Sequence, residues 1–310
     1  MSTIPWVEKY RPSSLEYIVL SNENRTIINS IINLNYFPNV LFYGPPGTGK
    51  TTTVINLINQ YHKMNGWSSK GLLMHLNASD DRGIEIIRSQ ISMFVKSKSL
   101  LDDGIKFVVF DEVDYMTKNA QQALRFILNE YSNRVRFCLI CNYISKIDDA
   151  LQSEFLRLKF NNLPTDIILK YLTNIATKEE LNIDLKKMIH IQKMYGSDIR
   201  SMINYLQTNM DIIEQCEVLN ETIWDKIFVQ LTEGYPIDKI YKNLREQSIV
   251  CNIDMKCMIK QFLKYIIRMC NECITSELLT HIEYAIHGNI ENEEIYVKYI
   301  LLKLIQSISN

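Results

Sequence analysis

The chain has 310 residues, 46% hydrophobic and 22% charged, with 34 Lys and Arg against 35 Asp and Glu. That length exceeds a typical single domain, so two or three domains and a real core are expected from this ordinary globular composition. The balanced charge excludes a global basic field, and any nucleic-acid contact must come from local clusters. No stretch reaches the roughly 18 uninterrupted apolar residues of a membrane span. The opening Met1 to Trp6 lacks a basic segment followed by an apolar one, so no secretory signal and no membrane partner are expected, and the protein is expected to be intracellular. Seven Cys, odd in number and scattered, point to reduced thiols.

Taken in chain order, short apolar runs alternate with helical patterns through the first half. The runs are Val40 to Tyr43, Leu72 to Leu76, Phe107 to Phe110, Phe137 to Ile140, and Leu156 to Phe160. This rhythm predicts a parallel sheet wrapped by helices. Between the runs, Thr51 to Tyr61 and Ala120 to Tyr131 carry apolar residues three and four apart, the period of amphipathic helices. Cys138 and Cys141 fall inside the fourth run. Cys270 and Cys273 fall in a helical pattern with no second pair nearby. Both CxxC pairs are read as structural, because a zinc site needs four ligands. After Leu163-Pro164 the strand-like runs stop and the remainder is helical in period, with breaks near Gly196 to Asp198 and at Gly234-Tyr235-Pro236. Three domains are expected: residues 1–163 as an α/β domain, 164–219 as a small helical domain, and 220–310 as a helical C-terminal domain.

Gly44-Pro45-Pro46-Gly47-Thr48-Gly49-Lys50-Thr51 fits G-x-x-x-x-G-K-[ST], directly after an apolar run and at the start of a helical one. Such a loop aims backbone N–H groups and a helix N-terminus at phosphate oxygens. Lys50 then reaches the β- and γ-phosphates of ATP, and the Thr51 hydroxyl ligates magnesium (Mg2+). Val108-Val109-Phe110-Asp111-Glu112 is an apolar strand ending in two acids. Asp111 suits the magnesium shell, and Glu112 suits orienting or deprotonating the attacking water. One predicted strand lies between the two motifs and another follows, ending at Asn142. That arrangement resembles P-loop ATPases with an extra central strand, in which a polar residue at the neighbouring strand tip meets the water or the γ-phosphate.

Trp6-Val7-Glu8-Lys9-Tyr10-Arg11-Pro12 closely resembles the opening of replication factor C small subunits, the AAA+ ATPases of DNA sliding-clamp loaders. Leu76 to Gly83 resembles that family's strand and loop after the phosphate loop. Asp111-Glu112-Val113-Asp114 resembles its acidic box, Phe137 to Tyr143 its first sensor, and Gly196-Ser197-Asp198-Ile199-Arg200 its second. The resemblance covers essentially the whole chain. It implies a P-loop AAA+ domain followed by a small helical lid and a helical collar. It implies a nucleotide pocket built from Val7, Tyr10, Arg11 and Pro12 over the base and ribose, with Gly44 to Thr52, Asn142 and Arg200 at the phosphates. The implied catalytic set is Lys50, Asp111, Glu112, Asn142 and Arg200. The implied partners are other loader subunits in a hetero-pentamer, a PCNA-like sliding clamp, and primer-template DNA. The place of action would be a nucleus or a viral replication compartment.

By the same resemblance, Arg82, Arg88, Lys118 and Arg125 are candidates for the DNA backbone, although each alone reads first as a solvated charge. Gln90-Ile91-Ser92-Met93-Phe94 falls on the helix that meets the clamp in related subunits, while its apolar spacing also reads as core. The family carries Ser-Arg-Cys before the last strand of its ATPase domain, and that Arg enters the neighbouring subunit's site. Here the aligned residues are Ser153-Glu154-Phe155, and a carboxylate cannot stabilise negative charge developing on a γ-phosphoryl group. Arg157 sits three residues on from Glu154, roughly 10 Å along a strand. A subunit with its own hydrolytic centre and no finger for its neighbour is therefore expected. Two other readings remain: a different AAA+ machine, such as a branch-migration helicase, and an ATP-binding subunit that only holds the ring together.

Overall fold

The structure, a computed structural model, describes residues 4–68, 71–78, 84–97, 104–131, 135–211, 213, 221–251, 253–269, 275–287 and 292–308. Five strands form one parallel sheet in the order β2-β3-β4-β1-β5. They are β1 (Val40–Tyr43), β2 (Leu73–Asn77), β3 (Lys106–Asp111), β4 (Val135–Cys141) and β5 (Leu156–Lys159). Parallel neighbours need crossovers long enough to hold a helix. Accordingly α1 (Trp6–Lys9) and α2 (Asn22–Asn33) precede β1, and α3 (Lys50–Met64), α4 (Ile84–Lys96), α5 (Lys118–Tyr131) and the short α6 (Asp149–Gln152) follow β1, β2, β3 and β4.

Helices on both faces explain why the inner strands read as unbroken apolar runs. Alternate residues point to opposite faces. Phe107 and Val109 of β3 join Val40, Phe42 and Cys138 in a core closed by Ile28 and Ile31 of α2 and Val54 and Leu57 of α3. Val108 and Phe110 join Leu41, Phe137 and Leu139 in a second core, closed by Ile91 of α4, Leu124 and Ile127 of α5 and Leu151 of α6. β5 closes one edge with only Leu158 buried, and its exposed Arg157 and Lys159 are the charged side chains that keep an open edge from pairing further.

The strand order has a direct consequence for chemistry. β4 lies between β1 and β3, with Leu139 opposite both Leu41 and Phe110. The loops leaving these three strands at their carboxyl ends therefore sit side by side, at the place where open α/β sheets bind ligands.

After β5 the described chain is helical: α7 (Thr165–Lys178), α8 (Leu185–Tyr195), α9 (Ile199–Thr208), α10 (Glu221–Thr232), α11 (Ile237–Val250), α12 (Met255–Met269), α13 (Ser276–His287) and α14 (Glu293–Ile308). Contacts divide the chain into two compact units. One comprises Met1–Ile175 with Tyr195–Tyr205, and the other Ala176–Met194 with Leu206–Asn310. The second unit has its own core, in which Trp224 of α10, Leu244 of α11, Phe262 of α12, Leu278 of α13 and Tyr296 of α14 are buried together. Lys298 of α14 bridges Asp238 of α11 at 2.6 Å and Glu294 at 2.6 Å. Among the described residues no helix is long and apolar enough to cross a membrane.

Cys138 and Cys141 are buried in β4. Burial pushes both thiols up, that of Cys141 to about 12. Cys270 and Cys273 lie outside the described residues.

Candidate nucleotide site

The loop from Gly44 to Gly49 leaves the tip of β1 and enters α3 at Lys50. Lys50 is 7% exposed, and its ammonium donates to the carbonyls of Gly44 and Pro45 at 2.8 Å each and to Asn142 Oδ1 at 2.9 Å. Burial lowers its pKa, while the carboxylates of Asp111 and Asp114 oppose that loss of charge. One residue on, the Thr51 hydroxyl donates to Asp111 Oδ2 at 2.8 Å. Burial alone would raise the Asp111 pKa. The nearby His75 ring, 3.8 Å away, and hydrogen bonds from the Thr51 hydroxyl and the Glu112 N–H hold it below its ordinary value instead. The ionised carboxylate beside a hydroxyl is a hard oxygen pair, the donor chemistry magnesium requires.

Glu112 adopts left-handed backbone angles, φ 58° and ψ 37°, at the start of the short turn Val113–Tyr115. Such angles are uncommon for a residue other than glycine and cluster where function demands them. The reversal aims Glu112 into a cavity of about 210 Å³ that it lines together with Pro46 to Thr52, Asp111 and Asn142. Ile199, Arg200 and Ile203 of α9 and Tyr171 of α7 line it from the other side.

The N-terminal segment completes the wall with Val7, Arg11 and Pro12. It is tied to α3 twice: Arg11 Nε donates to Thr52 Oγ1 at 3.2 Å, and Asn56 Nδ2 donates to the Pro12 carbonyl at 2.9 Å. A third tie comes from α7, where the Tyr171 hydroxyl donates to the Tyr10 carbonyl at 2.6 Å. Tyr10 itself stands outside the lining, its ring edge-on to Trp6 at 6.5 Å. Gly44 and Pro45 also stand behind the cavity and act through the carbonyls that hold Lys50.

A phosphate loop, an acidic strand tip, an amide on the strand between them and an arginine from a helical segment thus surround one cavity. The family described as "ATPase family associated with various cellular activities" matches residues 40–162. Replication factor C subunit 3 of Schizosaccharomyces pombe is 42% identical over 264 residues, 84% of this chain and 74% of that protein. This chain belongs to the replication factor C subunit family. It is accordingly an AAA ATPase. Replication factor C subunit 5 of Homo sapiens is 40% identical over 208 residues, 67% of this chain and 61% of that protein. The solved RuvB Holliday junction branch migration motor of Thermotoga maritima aligns over 89% of this chain and 98% of that one, with a TM-score of 0.53. At 15% identity that likeness shows a shared fold alone.

Glu154, which the resemblance aligns with the family's finger position, has its Oε1 3.5 Å from Arg125 Nε on α5. Arg88 on α4 similarly meets Glu130 on α5 at 3.4 Å. Two of the basic residues expected to track DNA are thus paired with carboxylates within the chain. Lys118 begins α5 and is exposed, and Arg82 lies outside the described residues, as do Ser79 to Gly83 of the family-like loop. In the segment expected to touch a clamp, Ile91 is fully buried and belongs to the core, whereas Met93 is 64% exposed. Phe94 is partly buried against the same core, and its ring lies 5.0 Å from Lys106 Nζ.

Three contributors escaped the reading of the sequence, His75, Asn56 and Tyr171, and Asp114 was read only as part of the acidic box. Asn56 carried a signal, since it follows Thr52 by one helical turn and is a polar residue on the buried side of an amphipathic helix. Tyr171 carried none, because its partner Tyr10 is 161 residues away.

Proposed function

We propose that this chain is an ATP-hydrolysing small subunit of a sliding-clamp loader. With partner subunits in a hetero-pentamer, it uses ATP binding and hydrolysis to open a PCNA-like clamp and place it on primer-template DNA. The observation that carries this reading is the N-terminal wall. Val7, Arg11 and Pro12 of the loader-like opening segment line the same cavity as the phosphate loop and Arg200, which a generic P-loop fold does not require. The relatives named above come from cellular organisms, which favours a nucleus over a viral compartment as its place of work.

In this reading residues 1–163 form the motor, 164–219 the lid and 220–310 the collar. Lys50 and Arg200 neutralise the β- and γ-phosphates, and Glu112 and Asn142 hold the attacking water in line. Thr51 and Asp111 would hold magnesium, which when bound draws charge from the phosphate oxygens. Val7, Arg11 and Pro12 cover the base and ribose, with Tyr10 behind them. Arg88, Lys118 and Arg125 follow the DNA backbone. Exposed ion pairs are worth only about 0 to 1 kcal/mol, so Glu130 and Glu154 yield these arginines readily to a phosphate. Met93 is the apolar contact offered to the clamp. Glu154 leaves the neighbouring subunit without a finger, and Arg157 does not replace it. Its strand is fixed in register, with Arg157 opposite Leu41, and its Nη1 donates to Gln152 at 3.4 Å.

Steady-state ATP hydrolysis by the purified chain with its loader partners tests the reading. Turnover is expected to rise when a clamp and primed DNA are both supplied. Stimulation by branched DNA without a clamp would place the chain among branch-migration motors instead. In the same assay Glu154→Arg is expected to raise turnover of the assembled complex, because a finger in trans is worth about 10³ to 10⁵ at the site it enters.

A further inference from the structure

Asp114 is a buried carboxylate that the proposed mechanism does not use. It is 6% exposed, and its Oδ1 is enclosed without a hydrogen-bond partner among the described residues. Its Oδ2 accepts from the backbone N–H groups of Asn142 and Tyr143, at 3.3 Å each. These are the first two residues beyond the end of β4 at Cys141, and the register with β3 has already ended at Phe110 opposite Leu139. Their N–H groups have left the ladder, and the carboxylate supplies the acceptor that the neighbouring strand no longer offers.

We infer that Asp114 is a positioning residue that locks Asn142 to the acidic turn. It stands three residues after Asp111 and two after Glu112, in the turn Val113–Tyr115. One short segment, from the end of β3 into that turn, therefore carries the candidate metal ligand, the candidate base and the clamp on the backbone of Asn142. Asn142 in turn presents Oδ1 to Lys50 Nζ at 2.9 Å. Fixing the Asn142 backbone fixes where its amide stands relative to Glu112, which is what holding one water between them requires. A half-satisfied buried carboxylate costs stability wherever it occurs. Its presence beside the cavity, where its charge also reaches Lys50, is explained by that geometric duty.

This inference rests on the reading of Asn142 as a contact to the water or γ-phosphate, and a double-variant comparison separates the two. Turnover is measured in the assembled complex for Asp114→Ala, Asp114→Asn, Asn142→Ala and the pair Asp114→Ala with Asn142→Ala. Binding of a fluorescent ATP analogue is measured on each purified chain. Second-layer partners of this kind are worth about 10- to 100-fold in activity. Asp114→Ala is expected to lower turnover by that factor with analogue binding nearly unchanged. Asp114→Asn, which keeps an acceptor at the same place, is expected to recover most of the loss. The pair is expected to be no slower than Asn142→Ala alone, since residues acting as a unit do not add. Multiplying losses in the pair, or a loss of analogue binding equal to the loss of turnover, would overturn the inference. Full activity in Asn142→Ala would instead overturn the reading of Asn142. Should Asp114→Ala fail to fold, Asp114→Asn combined with Asn142→Ala decides by the same rule.

Discussion

Glu112→Gln is expected to leave the chain able to bind ATP and nearly unable to hydrolyse it, with turnover falling by about 10² to 10⁴, the range a positioned general base supplies. The substitution keeps the size of the side chain and its place on the cavity wall, so the lining that Lys50 and the loop offer to a phosphate is untouched. The left-handed turn at φ 58° is kept as well, because glutamine meets the same backbone cost as glutamate there. What is lost is the capacity to take a proton from water. Lys50→Ala provides the contrast. Removing an ammonium that is held by Gly44, Pro45 and Asn142 should weaken both nucleotide binding and hydrolysis, whereas Glu112→Gln separates them. Single-turnover hydrolysis and binding of a fluorescent ATP analogue read the two quantities independently. A Glu112→Gln protein that hydrolyses at the parental rate would remove Glu112 from the mechanism.

How far such a site can be read before any coordinates depends on whether its parts are local in sequence. The phosphate loop and the acidic strand tip are each continuous segments whose chemistry follows from residue type and spacing, and both stand where the pattern placed them. The alternation of apolar runs also gave the sheet: the expected run Leu72 to Leu76 is observed as Leu73–Asn77, and Leu156 to Phe160 as Leu156–Lys159. Asn142 was placed by resemblance to P-loop ATPases with an extra central strand, and the observed strand order puts β4 between β1 and β3. Side-chain pairings between elements were not legible. Nothing in the spacing connects Glu154 with Arg125 on α5, or Tyr171 with the carbonyl of Tyr10, because such contacts depend on how helices pack over the sheet. Asp114 illustrates the boundary. It was visible as the last acid of a four-residue box, but its task depends on two N–H groups of another strand. Ile91, an apolar residue on a candidate contact helix, proved to be core, the reading its spacing favoured.

Gly47→Ala is expected to abolish most ATP binding through a collision that involves no residue of the acidic turn. A Cβ at Gly47 would stand 1.9 Å from Asp198 Oδ1 and 2.9 Å from Asp198 Cα. Asp198 cannot simply swing aside. Its Oδ1 accepts from the Ser201 N–H at 3.1 Å and its Oδ2 from the Ser201 hydroxyl at 2.9 Å, the contacts that cap the start of α9. The added methyl must therefore push the phosphate loop away from the start of α9, which carries Arg200, opening the cavity between the charges expected to face ATP. A second cost arises from φ +71° at Gly47, where any side chain loses about 1 to 2 kcal/mol of stability. Gly66→Ala isolates that second cost, since Gly66 has the same φ of +71° and a Cβ there meets nothing within 4 Å. Gly66→Ala should thus lose only that backbone cost, roughly 1 to 2 kcal/mol of unfolding free energy, and Gly47→Ala should lose more because of the collision, both measured by denaturant titration. Only Gly47→Ala should lose analogue affinity, by about 10-fold or more, because the excess beyond Gly66→Ala reflects displaced phosphate contacts, each worth about 1.5 to 3 kcal/mol when charge-assisted. Equal analogue affinity in the two variants would show that Asp198 and the phosphate loop separate without disturbing the site, and that Arg200 is placed by something other than their close approach.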